Sequence, residues 1–137
     1  MSRTATGVMK WEPWKPRPFA AQEEAMMLFH GQVVNHYSGD LTATSTQECL
    51  ILGHRDGTSP FYGLERVVGE LEGRTGSFVL EVKGVVRPGA AEATMTVVPG
   101  SGTAQLAGLE GEGTYKSDNV GPDGHSSFVL NYVLPTD

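Results

Sequence analysis

The stretch VVPGSGTAQLAGLEGEGTY, residues 97–115, decides between two kinds of fold. Its glycines could form a phosphate-binding loop ahead of a helix, or they could turn the chain between short strands. A P-loop needs a Lys followed by Ser or Thr, and the first lysine after this loop is Lys116. A dinucleotide-binding loop needs a helix, but residues 104–113 hold three glycines, each disfavouring a helix by about 1 kcal/mol. The stretch therefore predicts turns between strands.

A shorter motif occurs twice and supports the same interpretation. LEGRTG at residues 71–76 and LAGLEG at residues 106–111 share the spacing L-x-G-x-x-G. This spacing fits a strand, a tight turn in which Gly takes the left-handed conformation, and a returning strand. Both motifs therefore predict β-hairpins.

Alternation of apolar and polar residues with a period of two extends along most of the chain and predicts β-strands. The predicted strands span residues 4–11, 26–37, 41–52, 61–71, 77–86, 91–98, 103–116 and 126–134. One or two helical turns are predicted over residues 19–25. Eight strands in 137 residues indicate a single domain, residues 1–137, built as a closed barrel or a sandwich.

Charge and cysteine content narrow the class of partner and the compartment. The formal net charge is -6 and the pI about 5.1, which disfavours nucleic acid and membrane surfaces as partners. The single cysteine, Cys49, cannot form an internal disulfide, and the opening MSRTATGVMKWEPW lacks the apolar run of a leader. These features predict a cytoplasmic protein.

The sequence gives little support for a metal site or for a nucleophilic serine. His30 and His36 share a strand face, but six residues at about 3.3 Å each separate them by about 20 Å. Ser101 lies in PGSGT, and no helix follows to make a nucleophile elbow. The sequence therefore predicts no metal site and no cofactor.

Four segments together resemble the bacterial family called domain of unknown function 3224. They are YSGDL at 37–41, YGLERVVGELEGRTGSFVLE at 62–81, VVPGSGTAQLAGLEGEGTY at 97–115 and FVLNY at 128–132, and the resemblance covers residues 11–134. It implies an all-β fold: a small, antiparallel, eight-stranded barrel similar to allene oxide cyclase, calycin-like, with at most one short helix. Dirigent proteins and some natural-product cyclases share this fold. The resemblance implies no known activity.

Polar residues on the predicted strands are the candidates for chemistry inside such a barrel. Glu65 shares its strand face with Phe61, Val67 and Leu71, and burial in this apolar row would raise its pKa toward that of a general acid or base. The structural alternative is a buried carboxyl group held by hydrogen bonds, with Tyr132 as a partner. Glu48 lies on a face that grades from polar to apolar and suits the rim of a pocket.

Two functions follow. The first is a barrel with an apolar lumen that binds a small hydrophobic metabolite, with Trp11, Met26, Tyr62 and Phe78 as ligand contacts. The alternative is a cofactor-free isomerase or cyclase of a natural-product-like substrate, in which Glu65 is the acid or base and Glu48 and Tyr132 assist. Adjacent apolar residues on both strand faces, such as Val67 and Val68, also predict a homo-oligomer.

Overall fold

The computed structural model describes residues 2–19, 26–118 and 124–135. Its strands are β1 (Ser2–Trp11), β2 (Arg17–Pro18), β3 (Met26–Gly39), β4 (Leu41–His54), β5 (Ser59–Leu71), β6 (Arg74–Arg87), β7 (Ala90–Val97), β8 (Glu110–Ser117) and β9 (His125–Val133). They form one antiparallel sheet in the order β1-β9-β8-β7-β6-β5-β4-β3-β2, and β1 also pairs with β3. That additional pairing closes the sheet, and it confirms the predicted eight-stranded antiparallel barrel, with the two-residue β2 lying beside β3.

Strict alternation along the strands makes the barrel interior. In β4 the odd-numbered residues from Leu41 to Cys49 are buried, and the intervening residues, several of them threonines, are exposed. Successive side chains of a strand point to opposite faces, so the odd residues of β4 face the lumen. The same parity holds for β3 from Gly31 to Tyr37. The interior of this side of the barrel is therefore set by odd-numbered positions.

The predicted strand 103–116 is wrong in its first half. A 3-10 turn at Ala104–Leu106 replaces it, and β8 begins only at Glu110. The hydroxyl groups of Ser101 and Thr103 accept hydrogen bonds from the backbone amides of Val79 and Ser77, both at 3.0 Å. These bonds fasten the segment across the end of β6, and Leu106 and Leu109 enter the core from it. We call this end of the barrel, covered by residues 98–109, the plugged end.

The two repeated glycine motifs adopt different structures. In the first, Leu71 pairs with Arg74, and Glu72 (φ 46°) and Gly73 (φ 89°) form the tight turn between β5 and β6. The second is not a hairpin, because its Gly108 (φ 81°) follows the 3-10 turn and its Gly111 lies within β8. The hairpin prediction is therefore confirmed at residues 71–76 and wrong at residues 106–111.

The remaining differences concern the segment between β1 and β3. The helical turns predicted over residues 19–25 lie outside the described residues, apart from Phe19. No helix in the described ranges is long and apolar enough to cross a membrane.

Candidate functional site

The lumen is packed in one half and open in the other. Large buried side chains fill the half next to the plugged end: Leu41, Leu71, Phe78, Leu106, Leu109, Tyr132 and Leu134. The opposite half, near the β4–β5 turn at residues 55–58 and the β6–β7 turn at residues 88–89, contains a cavity of about 340 Å³. Its lining is Met9, Trp11, Trp14, Pro16, Phe29, Val33, Asn35, Gln47, Cys49, Ile51, Ser59, Phe61, Val86, Ala91, Tyr115 and Ser126.

The rim of the cavity comes from the segment that follows β1. Prolines at 13 and 16 lack the amide donor of a sheet ladder, so the chain leaves the sheet after Trp11 and borders the barrel mouth before it joins β3 again as β2. Trp11 is half-buried, and Trp14 is 39% exposed. A Cβ at Gly31 would lie 2.8 Å from the Trp14 ring, so the absence of a side chain there lets the indole lie against β3. Both tryptophans of the chain therefore border the cavity.

The deep wall of the cavity is polar, unlike its sides. Asn35, Gln47, Tyr115 and Ser126 project into it from β3, β4, β8 and β9, and we call these four residues the polar floor. The hydroxyl of Ser126 and the amide nitrogens of Asn35 and Gln47 are buried, and none is in hydrogen-bond geometry with a protein atom. The Asn35 side chain is nevertheless close enough to Glu65, and that of Gln47 close enough to Tyr115, to affect the pKa of those groups. A buried polar group left unpaired costs about 1–3 kcal/mol. The Ser126 hydroxyl and at least one N–H of each amide are therefore available to a molecule in the cavity.

Glu65 lies beside the polar floor and is fully buried. Its backbone is directly opposite Gln47 across the β4–β5 ladder. Its Oε2 accepts hydrogen bonds from the hydroxyl of Tyr37 and from the hydroxyl of Ser45, the latter at 2.6 Å, while its Oε1 has no partner. Burial raises the pKa of Glu65, and the hydrogen-bonding side chains of Ser45, Tyr37 and Asn35 oppose that effect only in part. The site therefore favours a neutral carboxyl group more than water does.

The two tyrosines nearest this carboxyl group remain protonated. Burial, reinforced by the charge of Glu65, raises the pKa of both Tyr37 and Tyr115 well above the ordinary value. The Tyr37 ring also meets Phe128 edge to face, with centroids 5.4 Å apart, which fixes the direction of its hydroxyl. Glu65 is therefore the group of this cluster whose charge changes first as the pH rises.

The residues predicted from the sequence lie at the cavity and its polar floor, in the packed half of the lumen, or outside the lumen. Glu65 is in the lumen and Trp11 borders the cavity, whereas Phe78 and Tyr132 lie in the packed half. The expected bond between Glu65 and Tyr132 does not form, because the Tyr132 hydroxyl donates to Glu72 at the β5–β6 turn. Tyr37 takes the place that Tyr132 was predicted to have.

Three more predicted residues are not in the lumen. Glu48 points outward, where its carboxylate accepts from Gln32 and lies 3.4 Å from His30. Tyr62 is 54% exposed on the outer wall, and Met26 is 43% exposed at the start of β3 and does not border the cavity. Even-numbered positions of β4 and β5 face outward, which the period-two pattern alone cannot reveal. The prediction of a homo-oligomer stays a prediction.

The polar floor was missed by sequence reasoning. A usable signal existed, since Asn35 and Tyr37 share the parity of Val33, and Ser45 and Gln47 share that of Cys49. Polar residues that interrupt a buried row are the mark of a site inside a barrel. No three His, Cys, Asp or Glu side chains converge to hold a metal ion in residues 2–19, 26–118 and 124–135.

Stability should depend on pH through Glu65. Because its pKa is raised above the ordinary 4.5, the folded protein binds this proton more tightly than the unfolded chain does. The resulting stabilisation is complete below pH 4.5 and is lost as pH rises through the folded-state pKa. Urea titrations between about pH 4.5 and 8.5 should therefore show the free energy of unfolding of the wild type falling relative to that of Glu65→Gln. A constant difference across this range would contradict the assignment.

Comparisons with known proteins agree with the architecture. Residues 5–132 match the model of a family described as "Protein of unknown function (DUF3224)". A crystal structure of a protein with unknown function from this family, from Shewanella oneidensis MR-1, is similar over 98% of both chains, with 27% sequence identity and a TM-score of 0.76. No curated protein matches the chain.

Proposed function

The chain belongs to the DUF3224 family, and from the interior of its barrel we propose that the protein binds one small, mostly apolar molecule. The observation that carries this proposal is the 340 Å³ cavity, whose lining among the described residues includes no Asp, Glu, Lys, Arg or His. Sites for small molecules are usually concave, apolar and of about 300–1,000 Å³. A ligand would remove apolar wall from water, which is favourable by about 25 cal/mol per Å². We also propose a cytoplasmic location, which the single cysteine of the chain, Cys49, supports because it forms no internal disulfide.

The cavity limits the size of the ligand. A water molecule occupies about 30 Å³ of the liquid, so the space corresponds to about eleven waters. Bonded heavy atoms pack more closely than waters, at about 20 Å³ each, so a molecule of about 17 heavy atoms would fill the space. Longer molecules would have to extend past Trp14 at the rim.

The second candidate function is a cofactor-free isomerase or cyclase, and Glu65 is the observation that favours it. A buried carboxyl group with a raised pKa, next to a wall of unpaired donors, has the features of a general acid or base. In an enzyme of this kind, the Glu65→Gln variant would lose turnover but would bind substrate with nearly the affinity of the wild type. A binding protein would show no turnover in either form.

The proposal predicts that filling the cavity removes binding. Val33 is buried and borders the cavity, so the added ring of Val33→Phe should occupy the space that a ligand needs. We expect the Kd for N-phenyl-1-naphthylamine, an apolar fluorescent dye, to rise at least about tenfold, equivalent to about 1.4 kcal/mol. Energy transfer from the tryptophans, both at the cavity, to the dye measures this Kd.

Val68→Phe is the matched control. It makes the same substitution on the outer wall, where Val68 is 46% exposed, so its Kd should equal that of the wild type. Equal dye affinity in the wild type and both variants would mean that the dye binds elsewhere and would refute the proposal. Native mass spectrometry of detergent-free protein, followed by denaturing extraction, would then identify any molecule that the cavity retains.

A further inference from the structure

We propose that the ligand presents a neutral carbonyl oxygen, as in a ketone, ester or amide, to the side-chain amides of Asn35 and Gln47. This inference rests on the proposed function and adds the chemical class of the ligand. It begins from the two amide nitrogens, which are buried in the cavity wall and are not in hydrogen-bond geometry with any protein atom. Each NH2 group has two N–H donors, so even with Asn35 close to Glu65 and Gln47 close to Tyr115, one donor of each amide remains for a ligand. An N–H group can only donate, so the missing partner must be an acceptor.

The two amides are placed to reach one oxygen atom. Asn35 is opposite Ser45 on the β3–β4 ladder, and Gln47 lies two residues further along β4 on the same inward face. Such diagonal neighbours are about 7–8 Å apart at the backbone, within reach of side chains of this length. The hydroxyl of Ser126 on β9 lacks a partner too and borders the same cavity. A carbonyl oxygen accepts two hydrogen bonds, which matches the pair of amides.

The surroundings select against a negatively charged head group. Glu65 is directly opposite Gln47, and no Lys, Arg or His of the described residues borders the cavity. A carboxylate or phosphate bound there would be removed from water with no cation to balance it and with a carboxyl group nearby. An uncharged acceptor avoids that cost and still satisfies the two donors.

The rest of the ligand meets an apolar surface. Phe29, Ile51, Phe61 and Val86 form the sides between the polar floor and the tryptophan rim. A hydrocarbon body attached to the carbonyl group would therefore lie along the barrel axis, with the oxygen at the deep end. Apolar ketones, lactones and esters of moderate size have this shape.

A matched series of ligands tests the inference. We would measure displacement of N-phenyl-1-naphthylamine at about pH 7.5 by 2-octanone, 2-octanol, octane and octanoate, which have similar volumes and differ in the head group. We expect 2-octanone to bind at least about tenfold more tightly than octane and octanoate, and more tightly than 2-octanol.

The variant Gln47→Met keeps the side-chain length and removes the donor. Its preference for 2-octanone over octane should fall at least about fivefold, and its fold can be checked by circular dichroism. The control is Gln32→Met, the same change on the outer face, where Gln32 donates to Glu48. That control should retain the full preference of the wild type.

The outcomes separate this inference from the proposed function. If octane displaces the dye from the wild type as well as 2-octanone does, or if octanoate or 2-octanol binds more tightly than 2-octanone, the head-group assignment is overturned. The proposed binding function would still stand. If the preference survives in Gln47→Met, the assignment is likewise overturned. If neither the dye nor any member of the series binds, the proposed function itself fails.

Discussion

The Phe78→Ala variant is expected to lose about 3–5 kcal/mol of its free energy of unfolding. Phe78 is 1% exposed in the packed half of the lumen, where it is directly opposite Val67 across the β5–β6 ladder. Removing its ring leaves a void enclosed on all sides, and the surrounding wall is a closed sheet that cannot collapse to fill it. Urea unfolding followed by circular dichroism measures this loss.

Phe29→Ala is the control for that prediction. This variant makes the same substitution at the cavity, where the Phe29 ring is only half-buried and lacks packing partners on the side that faces the cavity. We expect its loss to be less than half that of Phe78→Ala, about 1–2 kcal/mol. Similar losses at the two positions would mean that the two halves of the lumen are packed alike. That result would argue against a ligand site in the half that contains the cavity.

The Gly7→Val variant is expected to destabilise the barrel by about 3 kcal/mol or more, because Gly7 lies at the seam that closes it. Gly7 pairs with Gly39 of β3 on one side and with Phe128 of β9 on the other. A Cβ at this position would lie 2.0 Å from the backbone oxygen of Ser38 and 2.8 Å from the Phe128 ring. Backbone cannot move aside as a side chain can, so the β1–β3 pairing must shift.

Few contacts hold the seam between β1 and β3 together. The β1–β3 pairing involves five residue pairs, and it is extended by Asp40, whose Oδ2 accepts from the Thr6 amide at 2.9 Å and whose amide donates to the Thr6 carbonyl. Gly53→Val is the control, since a Cβ at Gly53 would come no closer than 3.2 Å to any atom, and that atom belongs to the Phe29 ring. Thermal unfolding should show a much lower midpoint for Gly7→Val than for Gly53→Val. Equal midpoints would show that the seam tolerates a side chain.

Local pattern was enough for most strands and for one turn. The alternation in β4 and β5, the L-x-G-x-x-G motif at residues 71–76 and the absence of an α-helix over residues 104–113 are properties of neighbouring residues. They can be predicted without knowing what packs against them. The burial of Glu65 also follows from its apolar row. The second L-x-G-x-x-G motif misled, because Ser101 and Thr103 bond to β6, a contact between segments more than twenty residues apart.

The sequence by itself therefore determined the class of fold, the parity of the strands and the candidacy of Glu65. Only the tertiary structure decided which face of each strand points inward, and that placed Glu48 and Tyr62 on the outer wall. It also decided that Tyr37, and not Tyr132, donates to Glu65, and that Asn35 and Gln47 share one cavity wall. The physical reason is that alternation has two equivalent phases along an isolated strand, and only the register between strands and the closure of the sheet choose between them.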